Sequence, residues 1–323
     1  MRVLVTGGLG YIGSHTTVKL IEAGYDVMIM DNLTNSKIEV LDGIEEITGT
    51  RPNFYRGDVT DLTSVMTLFI NWDIDYVIHF AASKSVSASI HSPIQYYYNN
   101  INGLTTLLFA MHANGVNDLI FSSSCTVYGE PDEYPVNELT PTKKPTTPYG
   151  VSKYMCEQIL EDSHQVNSVA LRYFNPIGNH ESGLIYENPN GTPENLMPYI
   201  IRVLKGDADY LSVFGDNYDT PDGTAIRDYI NVNDLADAHV KSLNIVANQS
   251  HEIINIGTGT GSSVMKIIDA FKNEGHNIKY KILPRRDGDI EKIWSDTTKC
   301  EAVLKWKPSC SITDSVKSII KIL

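Results

Sequence analysis

The sequence predicts an α/β fold, a doubly wound parallel sheet joined to a smaller, interleaved α/β unit on its C-terminal side. Three observations carry this reading. Between residue 2 and about 174, short β-rich apolar runs (3–6, 27–31, 53–58, 76–81, 119–123 and 169–174) alternate with helical patterns, the rhythm of a parallel sheet covered on both faces. The first run passes into Thr6-Gly7-Gly8-Leu9-Gly10-Tyr11-Ile12-Gly13 and then into a helix ending near Gly24, the strand, glycine turn and helix of a Rossmann-type sheet. After about residue 175 the rhythm breaks into a Gly/Pro/Asn-rich stretch, 175–198, longer than ordinary connections and so functional in character.

Taken in order, the helix between the fourth and fifth runs is bounded by Asn102 before it and Gly115 after it, and the next begins near Tyr149, after a Pro-rich stretch at 141–148. Segments 228–232 and 253–257 again read as strands near a sheet. The two units, residues 1–174 and 175–323, are therefore expected to interleave.

Hydrophobic residues at 42% and charged residues at 20% are ordinary globular values. No apolar run approaches the ~18 residues that would span a bilayer. The N-terminus enters a strand at once, with no room for a signal peptide, so the cytoplasm is the expected location. The four cysteines, Cys125, Cys156, Cys300 and Cys310, lack CxxC or Cys/His ligand spacing and read as packing thiols, with neither disulfides nor a metal site. A net charge of −13 without a basic stripe excludes nucleic acid, but a few convergent arginines can still hold a small anion.

The glycine turn permits close backbone approach, and the helix start behind it offers free N–H donors to a pyrophosphate. Asp31 closes the second run, about where a carboxylate takes a ribose 2′-hydroxyl. It would repel a 2′-phosphate, and Asp31-Asn32-Leu33-Thr34-Asn35 holds no arginine to reverse the sign, so NAD is favoured over NADP. Asp58 has two open readings, an acceptor for the adenine amino group or a strand-ending turn residue.

Tyr149 and Lys153 stand four apart, hence on one face of a helix. Half-ionising a phenol at pH 7 takes roughly 4 kcal/mol, and a nearby ammonium and a positively charged nicotinamide are plausible sources. Ser124 follows the fifth run. Ligands of open parallel sheets sit beyond the carboxyl ends of strands, so this Ser and this Tyr can meet over one ligand.

The glycine turn, the Ser and the Tyr-x-x-x-Lys together identify the chain as a member of the extended short-chain dehydrogenase/reductase superfamily. Over nearly its whole length it resembles the UDP-glucose 4-epimerase family, through VTGGLGYIGSH, DNLTNS, VIHFAA, FSSSCTVYGE, PYGVSK, LRYFNPIG, NLMPYI, GTAIRDYINVNDLADAH and PRRDGD. The resemblance implies interconversion of UDP-galactose and UDP-glucose through a transient 4-keto sugar with bound NAD. Tyr149 would be the general base and acid, Lys153 would lower its pKa and hold the ribose, and Ser124 would hydrogen-bond the reacting oxygen. NAD would also meet Gly7, Gly10, Tyr11, Ile12 and Gly13 at the turn. Asp31, Asn32, Asn35, Ser36, Asp58 and Val59 follow at the adenosine end, with Phe80, Ala81, Lys84, Asn99 and Phe174 along the rest. The UDP-sugar would meet Ser124, Tyr149, Tyr173, Asn175, Asn195, Leu196, Phe214, Arg227, Arg286, Asp289 and Ile293. Residues 1–174 would then be the NAD-binding unit, 175–323 the UDP-sugar unit, and a homodimer is implied.

The chain departs from the commonest pattern of that family at Cys125, at Ala82-Ser83 and at Ile293, and its tail stops early, at Leu323, which puts the last helix in doubt. Related dehydratases and decarboxylases place acidic residues just after the position of Ser124; Cys125 and Thr126 stand there instead and argue against elimination. A 4-epimerase for another UDP-sugar (a uronate, a pentose or N-acetylglucosamine) would keep the same trio, and a non-catalytic NAD-binding interaction protein could share the fold. Ile293 is shorter than the bulky aromatic of sugar-restricted relatives, so slow activity on UDP-N-acetylhexosamines is expected.

Overall fold

The computed structural model describes residues 1–191, 193, 195–248 and 250–323. In chain order the strands are β1 (Arg2–Thr6), β2 (Asp26–Asp31), β3 (Asn53–Arg56), β4 (Tyr76–His79), β5 (Asp118–Ser124), β6 (Asn167–Tyr173), β7 (Asn175–Ile177), β8 (Leu211–Phe214), β9 (Ile226–Asn231), β10 (His251–Ile256), β11 (Gly261–Ser263), β12 (Tyr280–Leu283) and β13 (Lys292–Ile293). The helices are α1 (Tyr11–Glu22), α2 (Val40–Thr48), α3 (Leu62–Asn71), α4 (Val86–His91), α5 (Pro93–Tyr97), α6 (Gly103–Ala113), α7 (Pro148–Asp162), α8 (Leu196–Lys205), α9 (Val232–Ser242), α10 (Val264–Asn273), α11 (Thr298–Leu304) and α12 (Ile312–Ile320).

Among the described residues the main sheet has seven strands in the order β10-β6-β5-β4-β1-β2-β3. Each neighbouring pair is parallel. Its strands are apolar along their length because both faces are covered, and alternate residues serve opposite faces. Val3, Val5, Ile29, Ile78 and Ile120 enter one core, while Leu4, Met28, Val77, Leu119 and Phe121 enter the other. Each such side chain contributes roughly 1.5–3 kcal/mol on burial, and truncating Ile29 to Ala would cost ~2–5 kcal/mol.

Chain order and space interleave, as β10 joins β6 at the sheet's edge and α9 packs on α1. The sheet runs predicted at 228–232 and 253–257 thus have different fates: β10 extends the main sheet, whereas β9 is the centre of a second one, pairing β7, β11 and β13. A third core of Met197, Ile200 and Ile201 from α8, Ile267, Ile268 and Phe271 from α10, and Val316 and Ile319 from α12 lies beside it.

Two sequence expectations are corrected. Asn102 does not start a helix, because helical structure is already running from Pro93 through a π-helical turn, Tyr98–Asn102, and Asn102 has helical angles of φ −64° and ψ −37°. Gly115 does follow the end of α6, with φ +70°. The early stop at Leu323 does not cost the last helix: α12 forms, closed by a capping box of Ser311 and Asp314, with Val316 and Ile319 buried.

Candidate active site

The carboxyl ends of β1, β4, β5 and β6 lie on one side of the parallel sheet, and the glycine turn follows β1 on that side. Glycine is required there. At Gly13 a Cβ would stand 2.3 Å from the Gly7 carbonyl oxygen, and at Gly7, where φ is +70°, it would stand 2.8 Å from the Ala81 nitrogen. The Gly10 cap of α1 makes no side-chain bond and the first turn has no acidic residue, so the amides of Tyr11, Ile12 and Gly13 remain as donors. A bare, cationic helix start of this kind fits the pyrophosphate of a dinucleotide.

Asp31 stands at the tip of β2, 8% exposed. It accepts from Leu9 N at 3.1 Å, Leu33 N at 2.9 Å and Ser36 Oγ at 2.7 Å. A carboxylate has roughly four acceptor sites, so one stays open for a ribose hydroxyl. Asp58 accepts from Thr60 N at 2.9 Å, Thr60 Oγ1 at 2.7 Å and Asn32 Nδ2 at 3.0 Å, and these bonds hold its pKa below the usual value against the opposing effect of burial. This is the turn geometry foreseen as one of its two readings. Val59 is buried beside it, and Asn35 Oδ1 accepts from Asn190 N at 3.1 Å.

Ser124 ends β5, and Tyr149 stands in the first turn of α7, one residue after Pro148 and two after the Thr147 cap. The Ser124 hydroxyl stands close enough to the Tyr149 phenol to act on its proton affinity. Ser124 Oγ also accepts from Thr126 N at 3.2 Å and Thr126 Oγ1 at 3.0 Å, which fixes its rotamer. Lys153, one turn on, is 3% exposed, donates to the Ser122 carbonyl at 2.6 Å and lies 5.9 Å from the Tyr149 ring. Burial pushes the Tyr149 phenol upward, with the neighbouring Ser124 hydroxyl acting against it; burial also lowers Lys153 to about 8. An ammonium at that distance, already bonded elsewhere, does not outweigh desolvation of the phenol. What the trio offers is a proton acceptor and donor beside a hydroxyl, with a cation one turn away.

Tyr173, at the tip of β6, hydrogen-bonds Ser122, and Phe174 packs with Cys125 and Ile293 in one buried cluster. Phe80 and Tyr173 flank His239, at 4.7 and 5.6 Å between ring centres. Asn99 lies in the π-helical turn, donating to Asn100 Oδ1 at 3.1 Å.

Lys84 and Asn195 were singled out for different ligands, yet one carboxylate holds both. Glu187 Oε1 accepts from Lys84 Nζ at 2.7 Å and from Asn195 Nδ2 at 2.7 Å. Farther out, the Arg286 guanidinium lies 3.8 Å from the centre of the Phe214 ring, a flat cationic and aromatic platform. Arg227 donates to the carbonyls of Ile226 and Ile290 at 2.9 and 2.7 Å and stands 3.8 Å from Asp289. Ile293 pairs with Arg227 through β13 and β9, Asn175 lies on β7 and Leu196 opens α8.

Sequence reasoning missed Glu187 and Asn100. Asn100, 2% exposed, accepts from Ser83 N at 2.8 Å and donates to Ser152 Oγ at 2.9 Å, locking the loop after β4 to α7. No local motif marks either residue; the π-helical turn at Asn100 is of a type that gathers at functional sites.

The chain belongs to the NAD dependent epimerase/dehydratase family, whose profile matches residues 3–257. It is 48% identical over 320 residues to UDP-glucose 4-epimerase of Yersinia pestis, covering 97% of this chain and 95% of that one, and 46% identical over 323 residues to that of Erwinia amylovora, covering 98% and 96%. A crystal structure of UDP-glucose 4-epimerase from Bifidobacterium longum in complex with NAD+ and UDP superposes with a TM-score of 0.97 at 46% identity, over 100% of this chain and 98% of that one. Within the family the chain stands with the UDP-glucose 4-epimerases, and it is an enzyme, an isomerase.

Proposed function

We propose that this enzyme interconverts UDP-galactose and UDP-glucose with one tightly held NAD. The observation that carries the reading is the placement of Tyr149, in the first turn of α7, beside Ser124 at the carboxyl end of β5, with Lys153 one turn behind. Bound NAD supplies the acceptor and donor of hydride at sugar C4. Tyr149 takes the proton of the C4 hydroxyl and later returns it, and Ser124 holds that oxygen in line. Lys153 holds the ribose and contributes positive charge. Arg227, Arg286, Phe214, Asn175, Asn195, Leu196 and Asp289 anchor the UDP, leaving the transient 4-keto sugar free to turn over and present its other face. The N-terminal unit together with α9 and β10 serves NAD, and the remainder of 175–323 serves the UDP-sugar.

A second copy of the chain is the macromolecular partner. Ile94, Tyr98, Phe109 and Met155 are 82%, 62%, 59% and 43% exposed on α5, the π-helical turn, α6 and α7, an apolar patch that a homodimer would cover. Among the described residues no helix is long and apolar enough to cross a membrane, and galactose metabolism in the cytoplasm suits the reaction. Purified protein given UDP-galactose and no added cofactor should form UDP-glucose. Failure on UDP-galactose with turnover of UDP-galacturonate or a UDP-pentose would move the reading to another 4-epimerase, and failure on every UDP-sugar would point to a binding protein.

A further inference from the structure

Beneath the reacting residues lies a charged pair that the proton and hydride chemistry does not use. Glu157 is on α7 one turn after Lys153, and the two are 1% and 3% exposed. Its Oε1 accepts from Ser123 Oγ at 2.5 Å and from Arg172 Nε at 2.9 Å, and its Oε2 accepts from Arg172 Nη2 at 2.7 Å. Ser123 precedes Ser124, Arg172 precedes Tyr173, and Ser122 takes the Lys153 ammonium. Arg172 in turn lies 4.8 Å from the Tyr128 ring centre, and Tyr128 donates to Asn255 of β10 at 2.7 Å.

One carboxylate thus rides on the helix that carries Tyr149 and Lys153 while bonded to the strands that carry Ser124 and Tyr173. A buried ion pair is a poor means of stabilisation, because desolvating two charges offsets most of what pairing returns and apolar replacements are often as stable. Here its bonds converge on the reacting residues. We infer that Glu157 is a positioning residue of the reaction: clamped by Arg172 and Ser123, it fixes α7 against the ends of β5 and β6 and holds the Lys153 ammonium in place. The inference rests on the 4-epimerase reading.

Its charge has a further effect. Burial lowers Lys153 to about 8, while Cys156 and Glu157 act against that fall. The groups around Lys153 are Tyr149, Cys156 and Glu157 on its own helix and His79 on β4, which burial keeps neutral, down at about 3. Around Glu157 stand Arg172 on β6, Ser123 on β5 and His251 on β10. Removing the carboxylate should let Lys153 lose its proton at lower pH.

Glu157→Gln alone would strand a buried guanidinium, so the test also uses Glu157→Gln with Arg172→Gln, which removes both charges. In the folded double variant, kcat on UDP-galactose should fall roughly 10–100-fold with KM held within about twofold. Glu157→Asp, which keeps the charge, and the double variant, whose two lost charges offset, should leave the alkaline limb of the kcat profile near the wild-type position, whereas in folded Glu157→Gln, which keeps the Arg172 cation, it should move down by about one pH unit. Lysine ε-carbon NMR, assigned with Lys153→Met, should show the same lowered midpoint without turnover. A folded double variant with wild-type kcat overturns the inference, even where it melts at lower temperature, and so does folded Glu157→Gln with a wild-type Lys153 midpoint. If wild type proves inactive on every UDP-hexose, the 4-epimerase reading fails instead, and the NMR midpoint alone decides: lowered supports the role of Glu157, unchanged overturns it.

Discussion

Lys84 Nζ and Glu187 Oε1 stand 2.7 Å apart across 103 residues of sequence. The same oxygen takes Asn195 Nδ2, so the loop after β4 and the start of α8 meet on one carboxylate that is 7% exposed. The segment that carries Glu187 is itself strapped down: Tyr11 Oη donates to Gly178 O at 2.6 Å, and Asn190 Nδ2 donates to Thr34 O at 3.0 Å. A carboxylate bonded both to Lys84, proposed to meet NAD, and to Asn195, proposed to meet UDP, should affect both ligands. Glu187→Ala is expected to raise KM for UDP-galactose roughly 10-fold, about 1.4 kcal/mol, and to weaken NAD retention. Titration calorimetry with UDP and extraction of bound NAD check the two halves separately; a variant unchanged in both would reduce Glu187 to a surface tie.

Tyr149→Phe removes the proposed proton carrier but keeps the ring that faces Lys153. Turnover should drop ~10²–10⁴-fold, while UDP affinity stays within about twofold because the proposed anchors lie elsewhere. Near-normal turnover would assign the proton transfer to another group.

NAD should remain through purification, since the proposed cycle returns it unchanged and the helix start of α1 and Asp31 are its proposed anchors. Acid extracts of purified protein should contain about one NAD per chain, and added NAD should not accelerate turnover. Apo protein that consumed NAD in proportion to product would contradict the cycle.

Three histidines give stability a pH dependence. His15, His79 and His239 are 1%, 2% and 0% exposed, and burial lowers them to about 3, about 3 and about 4. The unfolded chain takes up these protons near pH ~6.5 and the folded chain only near those lowered values. Between the two the unfolded state binds more protons, so stability falls as pH drops, by ~1.4 kcal/mol per pH unit for each group. Tm should therefore decline steeply from pH 6.5 to 5, and His239→Gln should flatten the slope. A Tm independent of pH over that range would contradict neutral burial.

What the sequence made legible was whatever sits in a contiguous pattern. The glycine turn, the closing Asp31, the Ser124 strand end and the Tyr149/Lys153 helix face each fall within a few residues, and local geometry dictates their relation. Glu187, Asn100 and the Glu157–Arg172 pair act across the fold, through bonds to partners on other elements, and a carboxylate or amide in isolation carries no sign of its partner. Asn102 misled for the related reason that a capping residue type cannot reveal a helix already running through it.

Ile293 should set how readily a substituent at sugar C2 is accepted. It lies in β13 beside Arg227, is 1% exposed and shares a buried cluster with Cys125 and Phe174, next to Ser124 in the chain and Tyr173 respectively. Its side chain therefore packs against residues adjoining Ser124 and Tyr173, and we propose that a 2-acetamido group on the sugar presses there. Ile is β-branched and stiff, so room for that group requires repacking, and a misfit of this size is worth roughly 1–3 kcal/mol, a ~10–200-fold preference. The main activity is expected on UDP-glucose and UDP-galactose, with slow activity on UDP-N-acetylglucosamine. Ile293→Ser should raise kcat/KM for the acetylated sugar relative to UDP-glucose by about 10-fold or more, because it opens space without touching Tyr149 or Lys153. Measuring kcat/KM for both sugars in wild type and variant decides the matter: an unchanged ratio would leave Ile293 as packing for Cys125 and Phe174 and place the control of sugar size elsewhere.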